Sequence, residues 1–272
     1  MKLAMSAIAW DPPEDEAAAR ILREHGFEGV ELAPTKIFRR PEAASDAEVA
    51  ACREAWERRG LRIVAMQALL FGRPELTVFG EARERTLEYL SGVARLGARL
   101  GAGALVFGSP RNRARGALPA AEAWRSAVEF FRELGSAAAA AGTCVCIEPN
   151  PPRYGADFIT TSEEALRLVE EVASPGFGLH LDAACALLAG EDFPARLRKS
   201  AHVLRHVHLS EPDLAPVRAG GSLDPPAIAA ALREIGYSGW VSVEMKPAGL
   251  DAVRAAAGFA ESLTFGQSWG GK

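Results

Sequence analysis

Several familiar signatures are missing from this chain, and each absence removes a class of function. Its four cysteines (Cys52, Cys144, Cys146 and Cys185) form no CxxC pair. Cys144 and Cys146 lie two apart on one strand-like run, on the same face and too close for a native bridge. No disulfide framework is encoded, and reduced thiols fit a cytoplasmic protein. Basic charge is not in excess: 31 Lys and Arg against 35 Asp and Glu leave a formal charge of −4. A nucleic-acid binder usually carries a basic balance or stripe, so no nucleic-acid partner is expected. No window approaches the roughly 18 unbroken apolar residues of a membrane span. The first ten residues, MKLAMSAIAW, lack the long apolar core and cleavage site of a signal peptide. A Gly-rich phosphate loop is absent after the first strand-like run, where the chain reads SAIAWDPPED, and no GKS or GKT occurs. Histidine is scarce too, with five in all, yet two stand one residue apart in VLRHVHLSE, residues 203–211.

What is present is a regular alternation. Short β-like runs fall at 2–8, 28–32, 61–67, 103–109, 143–148, 176–182, 203–209 and 240–245. Helical patterns lie between them, at about 14–25, 45–59, 80–99, 119–141, 161–173, 183–200, 226–235 and 249–263. Gly26, Gly60 and Gly142 follow three of these helices as stop signals, and Thr161 or Ser162 and Asp224 supply N-caps. Strand alternating with helix predicts a parallel sheet with crossover helices. Eight such units in about 265 residues predict an α/β fold of one (β/α)8 TIM barrel, spanning 1–265 as a single domain. An open doubly wound sheet is the alternative, weakened by the missing phosphate fingerprint. Residues 266–272 read as a flexible tail.

In such barrels the chemistry sits at the C-terminal ends of the strands. Strand five ends at Glu148, strand six at Asp182, strand seven at His208 and strand eight at Glu244. Successive spacings of 34, 26 and 36 residues are each about one strand–helix unit. Neighbouring strands run about 4.8 Å apart, so all four groups can converge over one half of the mouth. Any single acidic strand end is more often a helix cap or an ion-pair partner. Four consecutive metal-capable strand ends are a different matter. Three carboxylates crowded into a partly buried mouth repel one another, and a divalent cation removes that cost. Three carboxylates and one imidazole favour a fairly hard ion, Mn²⁺ or Mg²⁺ first and Co²⁺ or Zn²⁺ after them.

The segments CIEPNP, GLHLDAAC, HVHLSEP and SVEMKP, with GFEGVEL at strand two, together resemble the xylose-isomerase-like sugar isomerase and epimerase superfamily of TIM barrels. The resemblance implies one divalent metal held by Glu148, Asp182, His208 and Glu244. It also implies that Glu148 and Glu244 flank a substrate carbon and shuttle its proton. The expected activity is isomerisation or epimerisation of a small sugar, ketose or hydroxy-carbonyl compound through an enediolate. Ketose 3-epimerases of that group carry a His three residues after the strand-six Asp and an Arg six residues after the strand-seven His. Here those positions are Cys185 and Leu214. Other branches of the superfamily are dehydratases of the inosose or dehydroshikimate type and DNA-repair endonucleases. The latter need a three-zinc cluster and a basic groove, which five His and a negative charge do not supply. A non-catalytic sugar-binding barrel is the reading from outside enzymology, and an intact ligand set argues against it.

His206 lies two residues before His208 on the same face, one layer deeper, and His180 stands likewise to Asp182; each either hydrogen-bonds a metal ligand or is a core histidine satisfied by a backbone or polar neighbour. Glu31 at the end of strand two is a substrate contact or an inner ion-pair partner, and Gln67 at the end of strand three is a similar candidate. Trp10 is expected to wall a sugar face, while Phe71 reads as core packing. Asn150, in the loop after Glu148, and Arg218, in PVRAGG, are substrate-binding candidates. Arg111, Arg113 and Arg115 of the strand-four loop are cations for an anionic substrate or solvated loop charges. A small sugar-like substrate is the expected partner, and a homo-oligomer is compatible with everything above.

Overall fold

The eight apolar runs become eight strands because each is too short for a helix and rich in Val, Ile, Leu and Phe. In the computed structural model, which describes residues 1–265, they are β1 (Lys2–Ser6), β2 (Gly29–Leu32), β3 (Arg62–Met66), β4 (Ala104–Phe107), β5 (Cys144–Ile147), β6 (Phe177–Asp182), β7 (Leu204–Leu209) and β8 (Trp240–Val243). All neighbours pair in parallel, and β8 pairs with β1, so the sheet closes on itself. The expected single barrel is what forms, and closure removes both edges that the open-sheet alternative would have left. The tail expected at 266–272 lies outside the described residues.

Among the described residues ten α-helices wrap the sheet: α1 (Asp15–Glu24), α2 (Pro34–Ile37), α3 (Asp46–Arg58), α4 (Arg83–Leu100), α5 (Ala120–Ala141), α6 (Ser162–Val172), α7 (Ala183–Leu188), α8 (Phe193–Lys199), α9 (Pro225–Glu234) and α10 (Leu250–Phe265). The helical segment read at 183–200 is two helices. Asp192 caps the second by accepting the Ala195 N–H at 3.0 Å, which restarts the helix after the Gly190 turn. Thr161 caps α6, accepting the Glu164 N–H at 3.2 Å. The Glu164 carboxylate reaches the Thr160 N–H instead of closing a capping box on Thr161.

The main core lies between the sheet and the helices, where residues such as Phe130, Phe131, Leu22 and Leu96 are fully buried. Small residues on the barrel axis, Ala4, Ala104, Cys144 and Cys146, pack around Trp240. Gly29 is required there, since a Cβ on it would lie 2.9 Å from both Trp240 and Val64. The barrel floor is therefore tightly filled, with Lys2 and Arg62 lying over the Trp240 ring. A register shift between Leu179 and His180 brings Asp182 level with His208, and His208 level with Ser242. The strand ends that carry the chemistry are thus set side by side.

Candidate active site

At the C-terminal mouth, Glu148, Asp182 and Glu244 line one cavity of about 410 Å³ together with Asn150, Tyr154, Cys185, Ser210, Asp213 and Lys246. Asp182, His208 and Glu244 each present an oxygen or nitrogen within 4.8 Å of the others, and Glu148, Asp182 and Cys185 form a second such trio. Asp182 belongs to both and joins them into one cluster. The four strand-end residues expected to converge are brought together.

Local structure explains why each side chain is held. Asp182 ends β6 and caps α7: its Oδ1 accepts the Cys185 N–H at 2.7 Å, and its Oδ2 accepts the Ser210 hydroxyl. Gly108, after β4, has no room for a side chain, because a Cβ there would overlap Glu148 Oε2. Asn150 stands beside them, its Nδ2 turned to Cys185 Sγ at 3.6 Å and its Oδ1 accepting from Arg113 at 3.0 Å.

Arg113 is a correction. Neither a solvated loop charge nor a free cation for substrate, it is fully buried. Its guanidinium donates to the Phe158, Glu148 and Ile159 carbonyls at 3.0–3.2 Å, besides Asn150. The loop after β5 lacks regular hydrogen bonding of its own, and one rigid fork supplies the missing donors. Arg115 is likewise spent on the Leu118 and Asp157 carbonyls.

Glu31 resolves the paired histidines of β7. It is fully buried and accepts from His206 Nε2 at 3.0 Å and from His208 Nε2 at 2.9 Å. A carboxylate so engaged has no reach toward a substrate, and Glu31 does not line the mouth cavity. The bond fixes the orientation of His208: with Nε2–H given to Glu31, Nδ1 is left facing Glu244 Oε2 at 3.3 Å, without a hydrogen-bond partner. His206 bonds Glu31 and none of Glu148, Asp182, His208 and Glu244. His180 makes no side-chain hydrogen bond and packs edge-on to His208, ring centres 4.2 Å apart.

Electrostatics follow from burial and crowding. Burial, then Asp182 and Glu244, push Glu148 up to about 8. Burial and Glu244 likewise raise Asp182. Burial opposes the charge of His208, but Glu31 and Glu244 outweigh it and hold its pKa well above the usual value. Burial also opposes the charge of Glu31, and His208 and His206 outweigh it in turn. Burial and the neighbouring imidazoles lower His180 well below the ordinary value. The cluster thus wants protons because it has too many carboxylates for its volume, which is the situation a divalent cation relieves. The donor set, three carboxylates and an unpartnered buried imidazole nitrogen, suits such an ion.

The remaining candidates fall elsewhere. Trp10 follows β1, the neighbour of β8; its Nε1–H donates to Asp15 at 2.9 Å and it does not line the metal-side cavity. Gln67 is buried with its Oε1 unpartnered, outside the metal-side cavity. Arg218 is exposed on its loop. Phe71, read as core, is 62% exposed. Ser210, Tyr154, Asp213 and Lys246 were missed. Ser210 stands two residues after His208 and was findable by the same alternation; the other three enter through loops, which carry no period.

Among known proteins, the family described as a xylose isomerase-like TIM barrel matches residues 19–268. A ketose 3-epimerase of Arthrobacter globiformis is 33% identical over 92 residues, 34% of this chain and 32% of that protein, so the match spans about a third of the relative's length. Among solved structures, 3-keto-D-glucoside 4-epimerase from E. coli superposes with a TM-score of 0.77 at 20% identity, covering 97% of this chain and 98% of that one. D-Psicose 3-epimerase from Clostridium cellulolyticum H10 gives 0.76 at 16% identity, covering 97% and 96%. At these identities the structural likeness is one of fold. The family match covers most of the chain and agrees with the closed eight-strand barrel, so this protein belongs to the xylose isomerase-like TIM barrel family.

Proposed function

We propose that this chain is a divalent-metal-dependent isomerase or epimerase that moves a proton through an enediolate of a small sugar, ketose or hydroxy-carbonyl compound. One observation carries the reading: Glu148, Asp182, His208 and Glu244 converge from four successive strand ends, three of them on one cavity. Glu148, Asp182, His208 and Glu244 would hold the ion, with Mn²⁺ or Mg²⁺ suited to an oxygen-rich set. When bound, such a cation polarises a carbonyl and acidifies the adjacent carbon. Asp182 and His208 are held rigidly by Ser210 and Glu31, so their role is to fix position. Glu148 and Glu244 stand on opposite flanks of the set, one from β5 and one from β8. One removes the carbon-bound proton, and the other returns a proton to the opposite face or the neighbouring carbon. Asn150 keeps the Glu148 loop in place and borders the cavity. Four reduced cysteines agree with a cytoplasmic setting, and no described helix is long and apolar enough to cross a membrane.

The test is a panel of ketoses and hydroxy-carbonyl compounds with Mn²⁺-loaded protein in deuterated water. The expected result is a product of unchanged mass formula carrying one solvent deuteron at the reacting carbon. Loss of water with a new ultraviolet chromophore would assign a dehydratase, and no exchange on any compound would remove the enzymatic reading.

A further inference from the structure

The metal-side cavity is not the largest on the mouth. A second cavity, about 590 Å³, opens on the same end of the barrel, between the ends of β1 and β2 and one face of α3. Its walls are mainly apolar: Ile8, Trp10, Ile37, Phe38, Trp56 and Pro247 line it. Ile37 is 45% exposed, an unusual position for an isoleucine without a partner. The volume is of the order that encloses a small organic ligand, about 300–1,000 Å³.

The two cavities share a wall. Met5 pairs with Val243 across the closing seam of the barrel, which sets Glu244 beside Ser6. Ala7 and Ile8, the next two residues, line the second cavity. On the β8 side, Lys246 borders the metal-side cavity and Pro247 borders this one. A ligand gripped near Glu244 therefore has an apolar space directly alongside.

The polar groups around that space are largely occupied. Arg59 donates to the Ala55 carbonyl at 3.1 Å and forms longer ion pairs with Asp15 and Glu16, Trp10 donates to Asp15, and Glu48 accepts from Ser45; Lys36, exposed, makes no ion pair among the described residues. Groups already satisfied offer little to a second sugar ring, which demands hydrogen bonds for its hydroxyls. Aromatic and aliphatic walls suit a flat apolar group instead.

We propose that this cavity is a second half of the substrate site and receives a flat apolar substituent on the sugar. The substrate class would then be a sugar conjugate that keeps a ketone for the enediolate, such as a keto-sugar glycoside with an aromatic aglycone, rather than a free monosaccharide. This rests on the sugar-site reading above and narrows it.

The experiment compares 4-nitrophenyl β-D-glucopyranoside with methyl β-D-glucopyranoside on Mg²⁺-loaded protein, by saturation-transfer NMR titration. The expected result is at least tenfold tighter binding of the aryl glycoside, with strong saturation on its ring protons. Ala51, exposed on α3 and lining the cavity, is replaced in Ala51→Trp to fill it; Ile37→Asp makes the wall polar. Both variants should fold, as judged by circular dichroism, and lose the aryl preference, bringing the affinity ratio near one. Equal binding of the two glycosides by the unaltered protein, or a preference that survives both variants, would overturn the proposal. So would a change in oligomeric state by size exclusion with the preference untouched, since a second copy of the chain would then be the occupant. The binding readout needs no turnover. An aryl preference without deuterium exchange on any sugar would leave the apolar site standing and sink the isomerase reading alone.

Discussion

Glu148 and Glu244 carry the proposed proton transfer from two half-buried positions that border the same cavity, one just after β5 and one just after β8. Glu148→Gln and Glu244→Gln keep the shape of the side chain and remove its basicity. Each should lower kcat by about 10³-fold, the order that a general acid–base group contributes, with far-UV circular dichroism unchanged. Robust turnover by either variant would withdraw its role. Glu148 also makes a pH prediction. Its pKa is raised to about 8 in the metal-free fold against 4.5 for the free side chain. A raised carboxylate favours the fold fully below the unfolded value and loses that contribution as pH rises through the folded one. Chelated protein should thus lose stability between about pH 4.5 and 8, by on the order of 4 kcal/mol from this group. Added Mn²⁺ takes the place of the proton and should flatten the slope. Melting temperatures at pH 5 and pH 8, with and without metal, measure it; a chelated protein no less stable at pH 8 would contradict the crowding argument.

At the scale of elements, the site is built from strand ends but held by loops. The β4 and β5 loops meet through Arg113, whose fork spans the Glu148 carbonyl, Asn150 and the chain at Phe158 and Ile159. Arg113→Met keeps most of the volume and deletes the donors. It should cost about 3–5 kcal/mol in urea denaturation, because buried acceptors are left unpaired. A loss under 1 kcal/mol would mean the loops hold themselves. This residue also marks where reading the sequence fails. A run with three arginines in a loop looks solvated, and local composition does not reveal that one of them turns inward. The strand ends are different. Period-two alternation fixes which side of a strand each residue occupies, so Glu148, Asp182, His208 and Glu244 were legible one strand at a time. Glu31 was legible as a strand end too, yet its task was not, because its partners His206 and His208 lie more than 170 residues away in the chain.

For the molecule as a whole, closure of the barrel does not depend on the proposed ion. The core is continuous around the sheet, and Trp240 and its small neighbours fill the floor without any polar ligand. Chelation should therefore abolish activity while leaving secondary structure intact in circular dichroism. Unfolding on chelation would make the metal structural and displace the catalytic proposal. Barrel closure also accounts for the adjacency of the two cavities. Only when β8 meets β1 do Glu244 and Ile8, at opposite ends of the chain, border a common wall.

Local pattern along the chain is enough to specify the eight-fold alternation, the parallel barrel it requires and the four strand ends that face the mouth. These follow from local periodicity and from steric rules that act over a few residues. Tertiary structure decided which nitrogen of His208 is left free, where Arg113 spends its charge and which apolar side chains stay uncovered beside the site. Each of these depends on groups far apart in the chain meeting at hydrogen-bond or van der Waals distance, and no local pattern in a sequence encodes such meetings.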